Sequence, residues 1–221
     1  MTNLYQINKI KWAYNALVVL IVWFSLVLQF AVSIPAYLAA GRTLAGALVM
    51  LFSYFTILSN ILMVVCLTII LTAPKSAWGR FFSKNTVITS ITFYMVVVGL
   101  IYNILLRNIV QLEGLFKLAN ELLHVVNPLL LIIYWLFFVP KDGLKLKAIL
   151  TWLWYPFIYF VYSVIRGAIS GDYPYPFLNV AKFGFTRVMI NAVILLPLFW
   201  ILGALFIILA QYLHKKRITA S

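Results

Sequence analysis

The chain has 221 residues, of which 65% are hydrophobic; its mean hydropathy is +1.06 and its formal net charge +13. Few soluble domains could hide so much apolar surface, so lipid is the expected solvent. The basic residues lie in short loops and tails, not on one folded face, which argues against nucleic acid as a partner.

Six apolar runs fill most of the chain, approximately 14–38, 48–71, 86–106, 122–139, 148–165 and 188–213. Each is close to the roughly 20 residues that cross a ~30 Å hydrocarbon core. They are too long and too unbroken for barrel strands, which run to ~10 residues of alternating polarity. Backbone in lipid must satisfy its own hydrogen bonds, so the expected fold is an all-α integral membrane protein, a six-transmembrane-helix bundle. The connections run to about 22 residues at most, and the expectation is a single domain over 1–221.

The first run follows Lys9, Lys11 and Trp12. It is too long for the apolar region of a cleaved signal and lacks a small-residue cleavage site, so it reads as a signal anchor. The second run carries Tyr54-Phe-Thr-Ile-Leu-Ser-Asn60. Thr56, Ser59 and Asn60 are spaced i, i+3, i+4 and share one helix face. Such residues also serve as glue between membrane helices, so the face fits a site or a packing seam. Cys66, the single cysteine, lies mid-run; it makes no intrachain disulfide and has no metal-type spacing around it.

The third run ends with Tyr102 and Asn103, followed by Arg107. Asn103 and Arg107 are i, i+4 neighbours. The fourth opens Glu121-Leu-Leu-His-Val-Val-Asn-Pro128 and holds His124, the one titratable Asp, Glu, Lys, Arg or His within the six runs. Asn127 borders the same face, and Pro128 frees the backbone carbonyl of His124. A histidine there can be a general base, a ligand, a proton relay or a hydrogen-bonded structural group. A metal site is not expected, because His214 lies in the tail and no carboxylate cluster completes a ligand set.

The fifth run spaces Trp152, Tyr155, Tyr159, Tyr162 and Arg166 by 3, 4, 3 and 4 residues. This aromatic stripe reads either as packing or as the wall of a pocket for a long apolar ligand. Arg107 and Arg166 either grip a carboxylate or phosphate at its mouth or snorkel to the interface. The segment 166–179 has Pro174 and Pro176 between aromatics, cannot be helical through them, and reads as a lid or as an interfacial turn.

Eleven of the 17 Lys and Arg residues fall on the side of the termini: Lys9, Lys11, Lys75, Arg80, Lys84, Lys141, Lys145, Lys147, Lys215, Lys216 and Arg217. Arg42, Arg107, Lys117, Arg166, Lys182 and Arg187 fall on the other. The positive-inside rule then predicts cytoplasmic termini, N-in and C-in, in the cell membrane. Thr56, Ser59, Asn60, Asn103, His124, Asn127 and Arg166 all lie in the outer half. By the run boundaries Thr56 sits ~12 Å and His124 ~4 Å below the outer ends of their spans, at 1.5 Å per residue.

At these positions the chain resembles a known family. Tyr54-Phe-Thr56-Ile-Leu-Ser-Asn60, His124-x-x-Asn-Pro128 and Arg166-Gly…Tyr173-Pro-Tyr-Pro-Phe-Leu178 resemble a bacterial group of six-span membrane proteins. That group looks distantly related to the animal androgen-induced and androgen-dependent threonine hydrolases, which cleave fatty acid esters of hydroxy fatty acids. The resemblance implies Thr56 as nucleophile and His124 as its base. It implies a lipid or fatty-acyl ester as substrate and no cofactor or metal.

An alcohol is a weak nucleophile that needs an adjacent base, and acyl transfer needs donors for the oxyanion. Ser59, Asn60, Asn103 and Asn127 are candidates for that role, while Arg107, Arg166, Tyr155, Tyr159 and Tyr162 are candidates for positioning substrate. Glu121 and Asp172 are the candidate acids for orienting the imidazole. The expected function is an intramembrane lipid-ester hydrolase. Two alternatives use the same residues: a lipid-binding or lipid-transport protein, and a proton-coupled carrier with His124 as relay.

Overall fold

A computed structural model describes residues 2–109 and 111–219, although the side chain of Arg217, counted above, is outside the described set. The described residues are helical, with no strand among them. Six helices are long and apolar enough to cross a membrane: Asn8–Ala39, Phe55–Thr72, Asn85–Leu106, Gly114–Phe138, Ala148–Ser170 and Phe185–Lys216. The protein is an all-α, multi-pass membrane protein.

In chain order the elements are α1 (Thr2–Ala39), α2 (Leu44–Leu51), α3 (Phe55–Thr72), α4 (Ala77–Phe82) and α5 (Asn85–Ile101). A π-helical turn, Tyr102–Leu106, extends α5. Then come α6 (Gly114–Glu121), a second π-helical turn (Leu122–Val126) and α7 (Asn127–Phe138). The chain continues with α8 (Ala148–Trp152), α9 (Trp154–Ser170), a 3₁₀ turn (Pro176–Leu178), α10 (Val180–Phe183) and α11 (Phe185–Thr219).

Two spans differ from the hydropathy boundaries. The second expected run starts at 48, but the helix breaks at 52–54, and the membrane-length segment begins at Phe55. Apolarity alone carries hydropathy through 48–54 and cannot see the break. The fourth expected run starts at 122, whereas its helix starts at Gly114; the polar first turns of α6 hide it from a hydropathy window. Similarly, Arg166 to Ser170 remain helical, and α9 ends at Gly171, whose φ of 73° is the left-handed conformation that closes helices.

The chain divides into two compact units, Met1–Leu51 with Thr56–Pro140, and Phe52–Phe55 with Lys141–Ser221. In the first unit polar groups join the spans. Asn15 Nδ2 donates to the Leu67 carbonyl (3.2 Å) and Trp23 Nε1 to Thr68 Oγ1 (3.3 Å), tying α1 to α3. The Tyr14 hydroxyl donates to the Leu130 carbonyl (2.9 Å), tying α1 to α7. Trp135 Nε1 donates to Thr89 Oγ1 (3.0 Å), tying α7 to α5. Lipid is as apolar as leucine, so such bonds and close packing, not water exclusion, hold membrane helices together. Val18, Met63, Leu67, Phe93, Met95, Leu123, Leu131, Tyr134 and Trp135 fill the core between them.

In the second unit the segment Phe52–Phe55 packs on α9. The Tyr159 hydroxyl donates to the Ser53 carbonyl (2.8 Å), and Ser53 Oγ lies 2.8 Å from the Tyr162 hydroxyl. The Phe55 ring sits 5.1 Å from the rings of both Tyr155 and Tyr159. Tyr173 lies directly against Gly167, where an added Cβ would come within 2.0 Å of its ring, so only glycine admits that approach. Asn191 Nδ2 donates to the Phe177 carbonyl (3.0 Å), which fastens the 3₁₀ turn to α11.

Candidate active site

The site grows from two irregular turns in the first unit. Pro128 has no N–H to offer the His124 carbonyl, and the turn before it widens: the Asn127 N–H bonds the Leu122 carbonyl, five residues back. A matching i→i−5 bond, Arg107 N–H to the Tyr102 carbonyl at 2.8 Å, closes the turn at the end of α5. Single π-turns inside helices gather at functional positions because they re-aim the side chains they carry. Here the first carries Tyr102 and Asn103, the second His124. Gly99 lets the two helices approach, since a Cβ there would stand 3.2 Å from the His124 carbonyl oxygen.

Thr56, the second residue of α3, and His124 meet: Thr56 Oγ1 lies 3.1 Å from His124 Nε2. The other ring nitrogen, Nδ1, lies 2.9 Å from the Asn120 carbonyl oxygen. A carbonyl can only accept, so Nδ1 carries the proton. In the neutral imidazole Nε2 is then a bare acceptor, and Thr56 O–H donates to it. An alcohol, an imidazole and a carbonyl that orients the imidazole are thus in line. The orienting group is a main-chain carbonyl, where the sequence pointed to the carboxylates of Glu121 or Asp172. Thr56 is 7% exposed and His124 half-buried.

Inward from this pair runs a chain of amides. Asn60 Nδ2 gives its two protons to the carbonyls of Thr56 (2.8 Å) and Leu123 (3.3 Å). Asn127 Nδ2 donates to Asn60 Oδ1 (2.8 Å). Ser25 shares its hydroxyl proton between the Ile21 carbonyl (2.7 Å) and Asn127 Oδ1 (3.3 Å). Asn60 is therefore a clamp between α3 and the turn bearing His124, with no N–H left for an oxyanion. Asn127 retains a second N–H. Ser59 is fully buried one turn along from Thr56.

Outward runs a charged rim. Arg107 donates from Nη2 to Glu121 Oε2 (2.8 Å) and from Nε to Asn103 Oδ1 (2.9 Å), and Asn103 Nδ2 donates to the Gly99 carbonyl (2.7 Å). The hydrogen bond that Arg107 donates to Glu121 raises the Arg107 pKa above its ordinary value. Among the described residues no group of three or more His, Cys, Asp or Glu is placed to hold a metal ion.

Comparison with protein-family models, curated proteins and solved structures finds no match.

The first unit thus brings together Thr56, Ser59, Asn60, Asn103, Arg107, His124 and Asn127. The remaining candidates, Tyr155, Tyr159, Tyr162 and Arg166, belong to the second unit and have structural partners there. Arg166 Nη1 donates to the Asp172 carbonyl (2.6 Å), and its Nη2 lies 3.9 Å from Asp172 Oδ2. Sequence reasoning missed Asn120 as the orienting group and Tyr102 as the ring beside the base. The i, i+4 spacing of Asn120 and His124 was a usable signal for the first; for the second there was none, because contact between spans sets it.

Proposed function

We propose that the protein is an intramembrane hydrolase of lipid esters in which Thr56 is the nucleophile and His124 the base. The line Thr56 Oγ1–His124–Asn120 carbonyl, with the proton direction fixed by that carbonyl, is the observation that carries this reading. The motif resemblance to threonine hydrolases supports the same pair and points to fatty acid esters of hydroxy fatty acids as the substrate class. A pair carried on membrane-length helices suits an ester whose tails lie in hydrocarbon.

In the proposed reaction Thr56 Oγ attacks the ester carbonyl carbon while its proton passes to His124 Nε2. The tetrahedral oxyanion takes a hydrogen bond from the second N–H of Asn127 or Asn103, worth about 3–4 kcal/mol per donor. As the ester C–O bond breaks, Nε2–H protonates the leaving alkoxide, giving the free alcohol and an acyl-threonine. Water then gives a proton to Nε2 and attacks the acyl carbon, and the acid leaves as Thr56 recovers its proton.

The excess of Lys and Arg toward the termini supports an N-in, C-in orientation in the cell membrane, which places the pair in the outer half. The test is turnover of a lipid-ester panel by purified protein beside Thr56→Ala. A hydrolase loses turnover and keeps ligand binding, whereas a lipid carrier keeps both binding and transport in that variant.

A further inference from the structure

We propose that Tyr102 is a positioning residue that fixes the plane of the His124 imidazole. The proposal rests on the hydrolase reading for its kinetic consequence, but not for its spectroscopic one. Hydrogen bonds at Nδ1 and at Nε2 hold the edge of the imidazole and resist a tilt of the ring only by bending. The Tyr102 ring blocks that tilt: it stacks on the imidazole with centroids 4.2 Å apart and an interplanar angle of 27°.

The phenol is itself held. Asn120 Nδ2 donates to the Tyr102 hydroxyl oxygen. The Arg107 guanidinium lies 5.1 Å from the Tyr102 ring centroid and is anchored by Asn103 and Glu121. Asn120 therefore serves the base twice, by its carbonyl at Nδ1 and by its side chain through Tyr102. Tyr102 and His124 each sit on a π-turn, and the widened turns bring the two rings face to face.

The experiment uses the full chain with His214→Gln, so that His124 is the single histidine, ring-labelled with ¹⁵N in lipid nanodiscs. Wild-type Tyr102 and Tyr102→Phe, which keeps the face, are expected to give the Nδ1–H tautomer alone. Tyr102→Leu is expected to give a mixture of tautomers. Its kcat should fall about 100-fold with KM within about twofold, as expected for a group displaced by about 1 Å, and Phe at this position should restore most of the loss. If Tyr102→Leu does not fold, Tyr102→Met, which keeps the bulk and removes the aromatic face, takes its place; about a tenfold loss in kcat with tautomer mixing is expected. A folded Tyr102→Leu, or in its place Tyr102→Met, with the Nδ1–H tautomer unmixed and kcat unchanged overturns the proposal, as does an Nε2–H tautomer in the parent. If the parent hydrolyses no ester, the hydrolase reading fails, and the tautomer comparison still decides the role of Tyr102.

Discussion

Two polar constellations with almost the same helical spacing have different fates. On α3 the Thr56 alcohol meets the bare ring nitrogen of His124, and one turn on, Asn60 bonds Asn127 and clamps the Thr56 and Leu123 carbonyls, with Ser59 buried on the same helix face. On α9 the Tyr159 hydroxyl bonds the Ser53 carbonyl, the Tyr162 hydroxyl lies against Ser53 Oγ, Arg166 bonds the Asp172 carbonyl and Tyr155 packs on the Phe55 ring. In the first set the bonds leave an alcohol against a ring nitrogen, which the proposed reaction uses; in the second the polar groups hold a break and a loop in place. Spacing identifies a shared face, and the direction of each proton identifies the role.

The largest expected effect comes from Thr56→Ala, which removes the nucleophile and should lower kcat by about 10⁴-fold or more, with folding retained by thermal-shift measurement in detergent. His124→Gln should cost about 10²–10⁴-fold, the usual worth of a general base. The pH–rate profile has the matching sign. Protonation of Nε2 removes the acceptor, so kcat/KM should fall about tenfold per pH unit below the imidazole pKa. A flat profile through that range would erase the contrast between the two constellations.

Asn60→Leu sharpens the contrast from within the first set. It removes the acceptor of Asn127 Nδ2 and the side-chain donor to the Thr56 and Leu123 carbonyls, and should lower stability by about 1–2 kcal/mol while reducing activity less than Thr56→Ala or His124→Gln. Tyr159→Phe should cost about 0.5–1.5 kcal/mol for one lost hydrogen bond and change turnover less than twofold. A large turnover loss with Tyr159→Phe at unchanged stability would move the aromatic stripe from scaffold to site.

The spans were legible because apolarity over some 20 residues is a sum that tolerates local error. Their ends were not. The break at 52–54 and the polar start of α6 moved Thr56 toward the start of its helix and His124 deeper into its own. The meeting of Thr56 and His124 could be anticipated only through a resemblance, since no spacing within one helix specifies a contact between two. Asn60 shows the same gap: its place on the face was readable, but its two carbonyl acceptors come partly from another helix. Asn120 meets the imidazole through its carbonyl, which any residue four before His124 would present, so its spacing was readable while its side-chain identity carried no signal for that bond. The π-turn before Pro128 had a cause in the sequence; the turn at 102–106 has no comparable mark.

Whether Thr56 becomes acylated can be read by rapidly quenching the protein during turnover of a lipid ester and mapping the acyl mass by peptide mass spectrometry. The expected result is an acyl group on Thr56 in the parent protein quenched during turnover, and none in Thr56→Ala. An acyl group on Ser59 or elsewhere, or undiminished hydrolysis by Thr56→Ala, would contradict it.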